Sequence, residues 1–189
     1  MTRLDELVAR PELRLDLISF PVLGRAYRFA LTDGTGASLA TVRQRTGSVL
    51  RWLNSLFVHR GYSPKAVLDV ITDSDDVLLT ISKPRQYGTS LDLAVTLPDG
   101  RPLGTVTSRG WRSHGLALAD PAGGTVAAMR RTAGANFAVE DGHGVALAGV
   151  TTAVGETGRY TIGYYASASP TVRILTLAAA IGTTVQRFD

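Results

Sequence analysis

The chain has 189 residues, 44% hydrophobic and 19% charged, which is enough apolar material for one well-packed domain and far from the composition of disordered segments. No cysteine is present, so disulfides, thiolate metal sites, cysteine nucleophiles and palmitoylation are excluded together. The net charge of +4 is carried almost wholly by arginine, since Lys65 and Lys83 are the only lysines, and a modest basic excess points to phosphate-bearing partners, lipid or nucleic acid.

Met1 to Leu15 alternates acidic and basic side chains and has no apolar run of the kind a secretory signal needs, so the expected compartment is the cytoplasm. Tyr27 to Val42 is the first of five units built alike, two alternating apolar runs about a polar pivot, here Asp33-Gly34. Ser48 to Arg60 breaks the rhythm: Val49, Leu50, Trp52, Leu53, Leu56 and Phe57 recur at helical spacing, with Arg51 and Arg60 largely outside that stripe. The plan then resumes. Val67 to Ile81 turns at Asp73 to Asp76, Leu91 to Val106 at Pro98-Asp99-Gly100, Leu116 to Met129 at Asp120 to Gly124, and Phe137 to Val150 at Asp141-Gly142. Asp-Gly between alternating runs predicts a hairpin closed by a two-residue turn with φ > 0. Turn signals about every eight to twelve residues, with no linker or low-complexity stretch, predict an all-β barrel or sandwich in a single domain covering 1–189.

The last segment, Pro170 to Phe188, supplies the architecture. Ser169 can cap a helix whose first position is Pro170, where the missing N–H costs nothing. Ile174, Leu175, Leu177, Ala178, Ala179, Ala180, Ile181 and Val185 then leave no polar face beyond a few threonines. A helix apolar on every side is buried in protein or in lipid. Ile174 to Val185 spans about 18 Å, whereas a bilayer core needs about 30 Å, so burial in protein is favoured. The predicted fold is a closed antiparallel β-barrel around this helix.

Catalytic signals are weak. His59, His114 and His143 are far apart in bland surroundings, and no G-x-S-x-G, HExxH or Walker motif occurs. Gly34-Thr35-Gly36 and Gly142-His143-Gly144 read as turn chemistry rather than phosphate loops. No catalytic residue, metal ligand or cofactor is predicted. The informative constellation is basic: Gly34 to Leu68 contains no acidic residue, while Arg43, Arg45, Arg51, Arg60 and Lys65 alternate with Trp52, Phe57 and Tyr62. Arginine grips phosphate oxygens through its fork of donors, and tryptophan partitions to headgroup depth. Arg43, Arg45, Arg51, Trp52, Arg60 and Lys65 are therefore the candidate headgroup-binding residues. The plainer alternative is that Val49, Leu53 and Leu56 cap one mouth of the barrel and leave ordinary surface arginines. Nucleic acid ranks lower, because Arg109, Trp111, Arg112 and His114, and separately Arg130-Arg131, are dispersed among acidic turns. A scaffold or regulatory module that binds a protein partner is a third reading, with no partner indicated.

Leu79-Thr80-Ile81-Ser82-Lys83-Pro84-Arg85, then Leu97-Pro98-Asp99-Gly100 with Leu103-Gly104-Thr105-Val106 and Trp111, resembles the phospholipid scramblase pattern of a strand ending in a basic-proline pair, a P-x-G turn, I/L-G-x-V and a nearby tryptophan. The ending is similar to that family's too, with Arg159-Tyr160-Thr161-Ile162, a short connector, and the small-residue apolar helix from Arg173 to Arg187-Phe188-Asp189. The resemblance runs from about Val22 to Asp189 and extends to the tubby-like superfamily, which includes the LURP-one-related proteins. It implies a closed twelve-stranded barrel threaded by the C-terminal helix. It also implies a non-enzymatic attachment to anionic phospholipid headgroups at the inner membrane face, and an association with lipid movement between leaflets. The chain departs from that pattern in three ways: Tyr164 to Ser169 has no carboxylate where scramblases carry a calcium-associated acidic loop, the cysteine cluster is missing, and so is the proline-rich arm. Calcium binding at that connector is not expected, because calcium needs about six to eight oxygens, several of them charged.

Overall fold

The computed structural model describes residues 2–19, 26–45, 62–63, 65–84, 86–87, 90–108, 115–133, 136–152 and 158–188. Helix α1 (Arg3–Ala9) leads into strands β1 (Glu12–Ser19), β2 (Arg28–Asp33), β3 (Ser38–Gln44), β4 (Tyr62–Ser63), β5 (Ala66–Ile71), β6 (Val77–Lys83) and β7 (Gln86–Tyr87). There follow β8 (Asp92–Thr96), β9 (Pro102–Ser108), β10 (Gly115–Ala119), β11 (Thr125–Arg131), β12 (Phe137–Glu140), β13 (Ala146–Thr152), β14 (Arg159–Tyr164) and helix α2 (Pro170–Phe188). Twelve of the strands form one closed antiparallel barrel, in the order β1, β14, β13, β12, β11, β10, β9, β8, β6, β5, β3, β2; β4 and β7 pair separately. Closure removes every free sheet edge of the barrel. It depends on β1, which pairs with both β14 and β2 and lies ahead of the stretch covered by the family resemblance.

The alternation read from the sequence is the inside and outside of this wall. Phe29 and Leu31, Val42, Leu68 and Val70, Ile81, Val95, Val106, Leu118, Met129, Val139, Val150 and Ile162 all point inward and are fully buried. What they meet is α2. Nine consecutive helical residues, 174–182, are buried, so the helix has no solvent face along that run. It touches β8, β9, β10, β11, β13 and β14. Each of Ile174, Leu175, Leu177, Ile181 and Val185 contributes about 1.5 to 3 kcal/mol by leaving water. The small residues have a steric purpose. A Cβ on Gly104 of β9 would stand 2.3 Å from the Ala119 carbonyl oxygen and 3.1 Å from Leu175, and one on Gly182 would stand 2.5 Å from Leu93. Among the described residues no helix is long and apolar enough to cross a membrane.

The five expected hairpins are all present, but their turns differ from the two-residue type expected. In each, the first residue's N–H donates to the fifth carbonyl and the fourth residue's N–H donates back to the first, as in Asp120 to Gly124 (2.9 Å) and Gly123 to Asp120 (3.0 Å). These are three-residue loops, a type I turn followed by a left-handed residue that forms a bulge. The left-handed positions are Gly36, Asp75, Gly100, Gly123 and Gly144, and every one of the five hairpins shows the accompanying register shift. Gly34 and Gly142, which directly follow an aspartate, are therefore not the residues that need φ > 0. The aspartates act as local caps instead: Oδ1 of Asp33, Asp120 and Asp141 each accepts the two N–H groups two and four residues on.

All five turns lie at one end of the barrel, and α2 enters there. Ser169 Oγ accepts the Val172 N–H, as its place before Pro170 suggests. Arg173 locks this end. Its guanidinium donates to the carbonyls of Val8 (2.9 Å), Arg10 (3.1 Å), Tyr165 (3.2 Å) and Ala168 (3.1 Å), tying α1 and the β14–α2 connector to the helix. It also lies 5.1 Å from the Tyr164 ring centroid. At the far end, Tyr27 Oη donates to the Val185 carbonyl (3.1 Å) and Gln186 Nε2 to that of Ser90 (3.0 Å).

Candidate functional site

The candidate residues Arg43 and Arg45 belong to the strand β3 and its exit, and Lys65 to the approach to β5. Antiparallel register aligns the outward positions of neighbouring strands into one row across the wall: Arg28 of β2, Arg43 of β3, Asp69 of β5, Thr80 of β6 and Thr96 of β8. Arg45 lies two residues beyond Arg43 on the same face, and its N–H donates to the Val67 carbonyl (2.8 Å), which brings it beside the start of β5. Lys65 shares the outward parity of Val67 and Asp69 and is exposed. The fold therefore brings Arg28, Arg43, Arg45 and Lys65 to one outward face of neighbouring strands, with Asp69 paired to Arg45 and Asp75 near Arg43.

Asp69 changes the reading of Arg45. Arg45 Nε donates to Asp69 Oδ2 (2.8 Å) and Nη2 to Asp69 Oδ1 (2.7 Å), while Thr80 Oγ1 donates to Oδ1 (2.8 Å). Burial pushes the Asp69 carboxyl up, but the hydrogen bonds from Arg45 and Thr80 and the nearby guanidinium charges hold it below the usual carboxylate range. The same hydrogen bond to Asp69 raises Arg45 further above its ordinary range. The stretch free of acids along the chain is thus not free of them in space, because Asp69 is the first residue after it ends. Arg45 is thus committed to Asp69 through Nε and Nη2.

Arg28, Arg43 and Lys65 keep their donors. Arg28 and Lys65 are exposed and pair with no described acid, and Arg43 has only an ion contact at 4.0 Å to Asp75. Arg28 and Arg43 stand directly opposite each other, a like-charge cross-strand pair of a kind that lowers stability. Arg28 precedes the acid-free run and was not among the sequence candidates. Its signal lay in the turn: counting back from Asp33 and Ala37 sets it against Val42, and the bulge between Thr32 and Leu31 moves the pairing by one residue to Arg43. Arg51, Trp52 and Arg60, and the helical spacing over 48–60, lie outside the described residues. Lys83, part of the basic-proline pair, is 1% exposed on the inner face of β6 and takes no part in this surface.

The two ends of the barrel differ in sign. The turn end carries Asp33, Asp73, Asp75, Asp76, Asp99, Asp120 and Asp141 with Arg10 and Arg101 among them, whereas Arg28, Arg45, Lys65, Arg130 and Arg131 lie toward the other, and Arg43 reaches back to Asp75. Among the described residues no group of three or more His, Cys, Asp or Glu side chains is arranged to hold a metal ion.

The chain superposes on an X-ray structure of a protein from Arabidopsis thaliana with a TM-score of 0.53 at 12% identity, over 93% of this chain and 91% of the other. At that identity the likeness concerns the fold alone. No protein-family model and no curated protein matches the sequence.

Proposed function

We propose that this protein is a scramblase-related, tubby-like module that binds anionic phospholipid headgroups without catalysis, at the cytoplasmic face of a membrane. The observation that carries this reading is the outward row in which Arg28 and Arg43 face each other beside exposed Lys65. Three cations with open donors on a rigid wall suit the phosphates of a lipid surface, which offers many weak anions at once. The acidic turns at Asp99, Asp120 and Asp141, on strands away from these cations, favour one orientation over such a surface. Lipid movement between leaflets is the further step that the family resemblance suggests, and headgroup binding comes before it.

Co-sedimentation with phosphatidylserine-containing and with neutral vesicles tests the reading. Each basic residue near an anionic surface contributes about 1 kcal/mol, so Arg28→Glu with Arg43→Glu is expected to weaken binding tenfold or more. Salt at about 1 M, where the Debye length is about 3 Å, is expected to release the wild type. Equal binding to neutral vesicles, or a double variant that binds as well as the wild type, overturns the assignment. Salt-insensitive capture of a defined protein, with no vesicle affinity, would put the scaffold reading in its place.

A further inference from the structure

Four of the five equivalent turns place Gly at the left-handed position, and the fifth places Asp75 there, with φ 63°. An L side chain is less favourable than Gly in that conformation, and Asp is one of the few that tolerate it, so the turn accepts Asp75 without requiring it. Its surroundings supply a reason. The Asp75 carboxylate comes within 4.0 Å of Arg43 Nη1, making an ion contact without a hydrogen bond, with both side chains more than half exposed. Asp69, the acid opposite Arg43 in register, is already engaged by Arg45 and Thr80.

We propose that Asp75 is a resident counter-ion of the basic patch, exchanged for a phosphate group when the patch binds its surface; this rests on the membrane reading above. A single carboxylate in contact with water holds an arginine weakly, since exposed pairs gain little against solvation and side-chain entropy. A phosphate offers more oxygens, so it can take a two-pronged bond from Arg43 and a second contact from Arg28 opposite. Asp75 therefore sets a threshold. Surfaces with sparse negative charge fail to displace it, and densely charged ones succeed, which is specificity through a built-in competitor.

The test compares wild type, Asp75→Gly, and Asp73→Asn as a control of equal charge change in the same turn, on vesicles with graded phosphatidylserine content. Asp75→Gly matches the four sister turns and is expected to fold at least as stably. Removing the counter-ion is expected to tighten binding about fivefold, the equivalent of one surface charge, and to lower the phosphatidylserine content needed for half-binding. Asp73→Asn is expected to change little, and the gain is expected to vanish in an Arg43→Gln background. Equal gains from both aspartate variants, or a gain that survives Arg43→Gln, overturns the exchange while leaving the membrane reading intact. Inorganic phosphate is expected to release the protein more than chloride at equal ionic strength; equal release also overturns the exchange. Absence of vesicle binding by both wild type and Asp75→Gly removes the membrane reading itself, and the exchange with it.

Discussion

The two ends of the barrel handle charge in opposite ways. At the turn end, Asp33, Asp120 and Asp141 are consumed by backbone N–H groups of their own loops, so their charge is part of the turn. Toward the other end, Arg28 and Lys65 have no described partner, and Arg43 has only a distant one. Acids placed by local hydrogen bonding explain themselves. Cations lined up by long-range register, one directly opposite another, do not, and the contrast directs attention to the second group.

The helix that joins the two ends offers the largest perturbation. Leu177→Asp puts an unpaired carboxylate inside the barrel and is expected to cost several kcal/mol, enough to abolish cooperative unfolding in a thermal melt. If the variant melts like the wild type, α2 is not the core of the barrel. At the turn end, Arg173→Ala leaves the carbonyls of Val8, Arg10, Tyr165 and Ala168 without their donor and is expected to cost about 2 to 4 kcal/mol by chemical denaturation. Arg173→Lys should recover only part of this, because one ammonium cannot span four acceptors. Hydrogen exchange should show α1 released in both variants.

Smaller effects sharpen the contrast between positions that only look alike. Gly123→Ala forces a side chain into φ 87° with open space around it, so its cost is purely conformational, about 1 kcal/mol. Gly142→Ala also meets open space but needs no positive φ, and is expected to stay within about 0.5 kcal/mol of wild type. A reversal of that order would return the turns to the two-residue type. Asp69 gives the site a pH signature. Its carboxyl is held below the ordinary value in the folded state, so it stabilises the fold above the unfolded-state pKa, near 4, and that contribution is lost as pH falls through the depressed folded value. Asp69→Asn is expected to flatten this acid limb of the stability curve; an unchanged limb would detach Arg45 from Asp69. Last, Arg28→Glu replaces a like-charge pair by an opposite one and is expected to raise stability by about 0.2 to 1 kcal/mol while weakening vesicle binding. Loss of both together would make Arg28 a structural residue.

Much of the fold was legible because its signals are local. Asp120 and Gly123, or Asp141 and Gly144, specify a turn within five residues, and Ser169-Pro170 followed by unbroken apolar positions specifies a buried helix. The turn type is not legible in this way, because Asp-Gly adjacency points to Gly34 and Gly142, whereas the bulge needs the residue three places beyond the first. In β1 Leu13, Leu15 and Leu17 alternate, but the intervening Glu12, Arg14 and Asp16 give the segment the pattern of a charged N-terminal arm. Arg173 gave no warning at all: its four acceptors come from α1 and the connector, and only the folded chain brings them to it.

By itself the sequence determined where the chain turns, which residues face inward, and that α2 has to be enclosed, because periodicity and turn chemistry are properties of neighbouring residues. Tertiary structure alone decided which arginines stay open. Arg43 and Arg45 are two residues apart on one face, yet one meets Asp69 in a full ion pair and the other meets only Asp75 at 4.0 Å. That difference arises from the pairing of β3 with β5 across residues 46–61, a register no local pattern encodes. A charge is defined by its partner in space, and closing the barrel chooses the partner.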